Sequence, residues 1–172
     1  MNALNSDLGD LRQAINAYYA GKPEATIDVI RAFADSGEHK AEFVLGEAYS
    51  DGRGVVQNKE LSLYWYERSY KRGNAQAAIY LAFHYEEINE RALSNRYYAV
   101  ALERFRQEAK SNDGEAMRWL AMCYMNGWGV ARDYDKMYQW LVAASAAGCK
   151  LATAELTEIH NNPESKWHKK SC

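Results

Sequence analysis

Cysteine, proline and net charge are what this sequence has little of. Three cysteines in 172 residues (Cys123, Cys149, Cys172) share no C-x-x-C spacing, which excludes a disulfide framework and the common zinc and thiol-redox motifs. Only Pro23 and Pro163 break the chain, so long helices meet few obstacles. The 21 basic and 23 acidic side chains leave a net charge of −2, without the basic excess of a dedicated nucleic-acid binder. No apolar run approaches the roughly 18 residues of a membrane span. The opening MNALNSDLGDLRQ has neither a basic leader nor an apolar core of the secretory type. The expectation is a reduced, cytoplasmic setting. What the chain does have is Ala, Leu, Glu, Lys and Arg in quantity, all good helix formers, together with 13 tyrosines and five tryptophans. An all-α fold is predicted.

An internal repeat organises these residues. Residues 41–73, AEFVLGEAYSDGRGVVQNKELSLYWYERSYKRG, align without a gap to residues 116–148, AMRWLAMCYMNGWGVARDYDKMYQWLVAASAAG. Ala41, Leu45, Tyr49 and Trp65 in the first correspond to Ala116, Leu120, Tyr124 and Trp140 in the second. Between them Ala77, Leu81 and Tyr85 keep the spacing, and Phe105 takes the tryptophan slot without a Gly-x-Gly-Val turn. Residues 86–95 therefore read as an altered connection or a helix extension. The half copy Ala152, Leu156, His160 closes the series, and a degenerate copy holding Ala14, Tyr18, Val29, Ala34 and Gly37 opens it. The expected organisation is a degenerate copy at 7–37, repeats at 38–73, 74–114 and 115–148, a capping helix at 149–161 and a short basic tail at 162–172.

Each repeat reads as two antiparallel helices, about nine helices in all. Ala, Leu and Tyr at i, i+4 and i+8 form one apolar stripe. Gly46 lies beside that stripe, where a missing side chain lets the partner helix approach; Ala82 and Ala121 hold the same slot. Gly52, Gly54, Gly127 and Gly129 are expected to adopt left-handed backbone in the turns, with Val55 and Val130 plugging the turns onto the core. Asn58 and Asp133 are placed to cap the second helices, and Pro23 fits the first turn of an early helix. Trp65 and Trp140 should be inner packing residues, with Tyr49, Tyr85, Tyr124 and Phe105 also assigned to the repeat core. Tyr64, Tyr66, Tyr70, Tyr97, Tyr98, Trp119, Trp128 and Trp167 are divided between packing and exposed anchors.

The pattern A-x3-L-G-x2-Y-x2-G-x-G-V…W-x3-A resembles the Sel-one-like repeat, a relative of the tetratricopeptide repeat. The match is nearly position by position over 41–73 and close over 116–148, where Ala121 replaces the usual glycine. The resemblance implies a right-handed α-solenoid of antiparallel helix pairs that presents a concave surface to other proteins and has no catalytic residues of its own. Small bacterial members often serve signalling, envelope or host-contact roles, and some resemble immunity proteins that neutralise toxins.

Catalytic chemistry finds little support. The Gly-Arg-Gly-Val and Gly-Trp-Gly-Val turns lack the preceding strand and the Lys-Ser/Thr of a phosphate loop. His39, His84, His160 and His168 are never spaced i, i+4 with one another; His160 holds a packing slot, and no cysteine or second histidine supports a metal at His84. Cys123 is expected to pack as a small hydrophobe. No catalytic, cofactor-binding or metal-ligating residue is assigned.

By resemblance to tetratricopeptide-type repeats, the first helix of each pair lines the concave side. Counting from the leucine slots, the predicted partner-binding residues are Phe43, Glu47, Ser50 and Asp51, then Ile79, Phe83, Glu86 and Glu87, then Arg118, Met122 and Met125. The apolar members form either a groove strip or solenoid core. Methionines adapt to irregular partners, and the acidic flank favours a basic one, such as a toxin or effector. The expected function is a protein-binding module, in its finer form a bacterial regulatory or immunity protein. Alternatives are a chaperone or accessory adaptor for an exported or enzyme client, or a helical repeat that binds RNA, which the net charge opposes.

Overall fold

The structure, a computed structural model, describes residues 3–161, with side chains from residue 10 onward. The expectations for Pro163, Trp167, His168, Cys172 and the tail 162–172 lie outside the described residues. Within them are nine helices and no strand: α1 (Ala3–Tyr19), α2 (Pro23–Asp35), α3 (His39–Asp51), α4 (Lys59–Lys71), α5 (Ala75–Glu87), α6 (Arg91–Ala109), α7 (Gly114–Asn126), α8 (Tyr134–Ala146) and α9 (Lys150–Asn161). They divide into two compact units, Met1–His84 and Tyr85–Cys172.

In the first unit α1 packs on α2, α2 on α3 and α3 on α4. Pro23 starts α2, where its missing N–H costs nothing and its fixed φ suits the first turn. The turn from α3 to α4 has the predicted construction. Gly52 closes α3 in the left-handed region at φ +70°, its N–H donating to the Ala48 carbonyl. The Asn58 N–H donates to the Tyr49 carbonyl at 2.9 Å, and Asn58 Oδ1 accepts from the Leu61 N–H at 2.9 Å. Gly54, at φ +74°, comes so close to α2 that a Cβ there would meet the Pro23 carbonyl at 3.1 Å. The glycine pair thus shapes the turn and docks it on the preceding helix pair.

The second unit repeats the device. Gly127 ends α7 at φ +81° and donates to the Cys123 carbonyl. The Asp133 N–H donates to the Tyr124 carbonyl at 3.0 Å, and Asp133 caps α8 by accepting from the Lys136 N–H at 2.9 Å. Gly129 lies against α6, where a Cβ would meet the Tyr98 carbonyl oxygen at 2.9 Å. The connection between α5 and α6 is different. Residues 88–90 alone span it, with Asn89 at φ +62°, and α6 runs for 19 residues where α4 and α8 each have 13. The altered stretch at 86–95 is therefore a tight turn followed by an extended helix.

Leu45, Leu81 and Leu120 are fully buried, as are Tyr18, Ile30, Ile79 and Phe105, and each large aliphatic side chain so placed contributes about 1.5–3 kcal/mol. The tryptophan slot is not uniform. Trp65 and Phe105 are buried, while Trp140 is half-buried, as are Tyr49, Tyr85 and Tyr124. Trp65 has Tyr64 edge-on at 5.1 Å and the Arg68 guanidinium over its ring at 4.8 Å. Of the aromatics left open by the sequence, Tyr66 and Tyr98 are core, Trp119 stacks on Phe105 at 5.6 Å and Trp128 on Tyr98 at 6.0 Å, and Tyr64 is half exposed.

Gly46 is the tightest contact between α3 and α4. A Cβ there would sit 2.6 Å from Tyr66 Cδ1 and 2.7 Å from Cε1, and Tyr66 is itself held by Phe43 and Tyr80. The second repeat solves the same contact with Ala121 and Leu141, both buried. Gly46→Ala is expected to cost about 1–3 kcal/mol through overpacking. In a Tyr66→Leu background the same change should cost much less, a coupling that a urea double-mutant cycle reads directly. Additive losses would mean that ring contact does not dictate the glycine.

Candidate functional site

The predicted site residues fall in both units. On the first unit, α3 supplies Phe43, Glu47, Ser50 and Asp51, and α5 supplies Ile79 and Phe83. Phe43 and Ile79 are buried, at 5% and 0% exposure, whereas Phe83 is 37% exposed. Phe43, Tyr66 and Tyr80 form a three-ring cluster with centroids 5.1–5.8 Å apart, and Phe83 meets Tyr80 edge-on at 5.8 Å. Ser50 is half-buried, its carbonyl accepting from Gln57 Nε2 at 2.7 Å. Asp51 is exposed at the last turn of α3.

Glu47 is the centre of this cluster. Its carboxylate accepts hydrogen bonds from the Tyr19 hydroxyl of α1 and, at 3.0 Å, from the Tyr80 hydroxyl of α5. Burial pushes its pKa above the ordinary glutamate range, the tyrosine hydroxyls pull it back, and the charge of Asp51 adds to the rise. The Tyr19 and Tyr80 phenols are themselves raised, first by burial and then by the Glu47 charge, so both remain protonated donors. Arg53 lies over the Tyr18 ring at 4.5 Å and donates to the Tyr18 carbonyl at 3.0 Å. Burial, partly offset by Arg53, pushes the Tyr18 phenol up to about 12.

On the second unit, Glu86 and Glu87 are exposed, and Glu86 accepts from the Tyr98 hydroxyl at 2.8 Å. Met122 and Met125 on α7 are half-buried. Arg118 is committed elsewhere: its Nε donates to Glu155 of α9 at 2.9 Å. That ion pair fastens α9 to α7.

Tyr19 and Tyr80 were not among the predicted site residues. Tyr80 occupies the slot just before the leucine, which holds Val44 and Trp119 in the flanking repeats; an aromatic there in two of three copies was the available signal. Tyr19 had none, because the first copy is degenerate.

Among the described residues the cysteines, Cys123 and Cys149, are buried, whereas His160, expected in a packing slot, is exposed at the end of α9. Cys123 is fully buried, and burial pushes its thiol up to about 12, which leaves it without nucleophilic thiolate at neutral pH. Cys149 is buried and donates to Glu115 Oε1 at 3.0 Å. His160 meets Tyr138 at 2.9 Å, ring edge to face. Among the described residues no three His, Cys, Asp or Glu side chains are grouped to hold a metal ion, and no helix is long and apolar enough to cross a membrane. A shallow groove of about 410 Å3 between α1 and α2 is walled by Ala14, Ala17, Val29 and Phe33, and among the described residues that line it Asp10 is the one ionisable group.

The Sel1 repeat family matches residues 39–74 and 114–149, the two segments whose turns and caps coincide. The chain carries two Sel1 repeats. A Sel1 repeat protein from Oxalobacter formigenes has a solved structure similar to it, with 22% identity over 88% of this chain and 59% of that one and a TM-score of 0.54. A second, c5321, described as a protective antigen of uropathogenic Escherichia coli with an SLR fold, has 21% identity over 96% of this chain and 38% of that one, with a TM-score of 0.49. The Sel1-like chain thus spans about three fifths of the Oxalobacter protein's length. Comparison with curated proteins gives no match. The fold is an all-α helical repeat solenoid. Sel1 repeats generally act as protein–protein interaction modules and are typically non-catalytic.

Proposed function

We propose that this Sel1-like chain is a non-catalytic module that binds a basic protein partner through the first-helix face of its repeats. The observation that carries the reading is on α3 and α5, where exposed Phe83 lies beside the Tyr80–Glu47 pair and, among the described residues, neither Glu47 nor Asp51 has an ion-pair partner. An apolar anchor flanked by uncompensated acids suits a partner that presents both apolar and cationic side chains. On the second unit, taken by itself, half-buried Met122 and Met125 on α7 offer adaptable apolar surface of the same kind. In its finer form the role is that of a cytoplasmic bacterial regulator or toxin-neutralising protein, which acts by covering its partner through this acidic and apolar face.

A photo-crosslinking side chain placed at Phe83, and separately at exposed Tyr64 on α4, tests the assignment in the native host. A protein adduct is expected from position 83 and not from position 64, and nuclease treatment should leave it intact. An adduct from position 64 alone moves the interface to the other helix layer. A nuclease-sensitive adduct replaces the protein partner with RNA.

A further inference from the structure

Three carboxylates that are buried or half-buried among the described residues are treated in two ways. Glu42 is answered by Arg68 at 2.9 Å and Arg72 at 3.2 Å, and Glu155 by Arg118. Glu47 receives two tyrosine hydroxyls, and among the described residues no cation lies within ion-pair distance of it. Arg53, whose charge reaches it, is spent on the Tyr18 ring and carbonyl. An ionised carboxylate offers about four lone-pair sites, so two hydroxyls leave acceptor capacity unused.

Packing does not demand this acid. The equivalent position of the second repeat is Met122, and Asp51 corresponds to Asn126; α7 forms the same helix with the same left-handed glycine cap. Around Glu47 the first repeat instead gathers rings: Tyr19, 51% exposed, donates to it from one side, and Tyr80 donates from the other with 37%-exposed Phe83 against its edge. Aromatic faces attract ammonium and guanidinium groups, more strongly where water is partly excluded. Asp51, exposed one helical turn on, adds its negative charge to that of Glu47.

We propose that Glu47, with Tyr19, Tyr80 and Phe83, forms a receptor for one cationic side chain, a lysine or an arginine, of the partner protein. The inference rests on the protein-binding reading above and names the group that this face selects. The hydroxyls fix the carboxylate's orientation before binding, which lowers the ordering cost of the encounter. The incoming cation takes the open lone pairs while its methylenes lie on the rings.

The test uses the full-length chain and small probes, so it does not depend on finding the partner. Carboxyl and tyrosine NMR signals are followed while N-acetyl-lysine amide, N-acetyl-arginine amide or N-acetyl-norleucine amide is titrated in. At least one cationic probe is expected to saturate, with shifts at Glu47, Tyr19 and Tyr80, and the uncharged probe to leave them unmoved. Glu47→Gln should weaken that binding by about tenfold or more. Glu47→Met copies the second repeat and keeps the test available if the amide variant folds poorly. Absence of saturation with both cations, an equal response to norleucine, or unchanged affinity in both variants would overturn the receptor. If the crosslink from position 83 then survives in Glu47→Gln, the protein-binding face stands and only its cation selectivity is lost. Loss of the crosslink in the parent chain removes the face itself.

Discussion

Arg68→Ala combined with Arg72→Ala is expected to destabilise the Met1–His84 unit by about 3–5 kcal/mol, because it leaves the fully buried Glu42 carboxylate without its cations. Glu42 Oε2 already has no hydrogen-bond partner among the described residues, so the two guanidinium groups are what keep the charge tolerable. Adding Glu42→Met should recover most of the loss. The reason lies within the chain: at the three corresponding positions the second repeat has Met117, Ala143 and Ala147, and Met117 is buried there. Recovery will be incomplete, since Arg68 also covers Trp65 and reaches the Ala34 carbonyl at 3.4 Å. Urea unfolding followed by circular dichroism checks the series. Equal stability of the double and triple variants would show that the arginines act through packing and not through the carboxylate.

Trp65→Ala is expected to cost about 3–5 kcal/mol, the usual range for deleting a buried aromatic side chain, and Trp140→Ala roughly half of that or less. The two residues share one repeat position, yet Trp65 is 7% exposed and Trp140 is half-buried. Denaturation midpoints of the two variants give the comparison. An unchanged midpoint for Trp140→Ala would mean that the repeat register does not place it against the helix pair.

The repeat and its turns were legible in the sequence because they rest on local rules. Gly52 and Gly127 must leave the right-handed region, and Asn58 and Asp133 must accept from N–H groups three residues on; both requirements select residue types at fixed offsets. The residues named for a binding face were harder to read. Positions two before and two after the leucines were assigned to one face, but Phe43 and Ile79 before them are core, while Glu47, Phe83 and Met122 after them are half-buried or exposed, since the difference depends on what the neighbouring helices set against each. Arg118 read as a groove residue, and its partner Glu155 lies 37 residues away, outside any local pattern. The Tyr19–Glu47–Tyr80 arrangement joins three helices through side chains that no repeat position requires, and such contacts are visible only after the chain is folded. The tryptophan slot shows a related limit: a sequence pattern assigns a position without stating how much water still reaches it.

Trp65 is the one tryptophan of the Met1–His84 unit, the other four lying at 119, 128, 140 and 167. The two halves of the chain are therefore optically distinct. Trp65→Phe would leave that half without an indole emitter, so light selectively absorbed by tryptophan would report on the remainder alone. Conversely, a chain whose later tryptophans are phenylalanine would emit from Trp65 only, with Tyr64 as a close energy donor at 5.1 Å and the Arg68 charge over the ring as a local influence on colour. Followed in one denaturant series, the two substituted chains reveal whether the halves melt together or in sequence, which decides whether the repeats behave as one cooperative body.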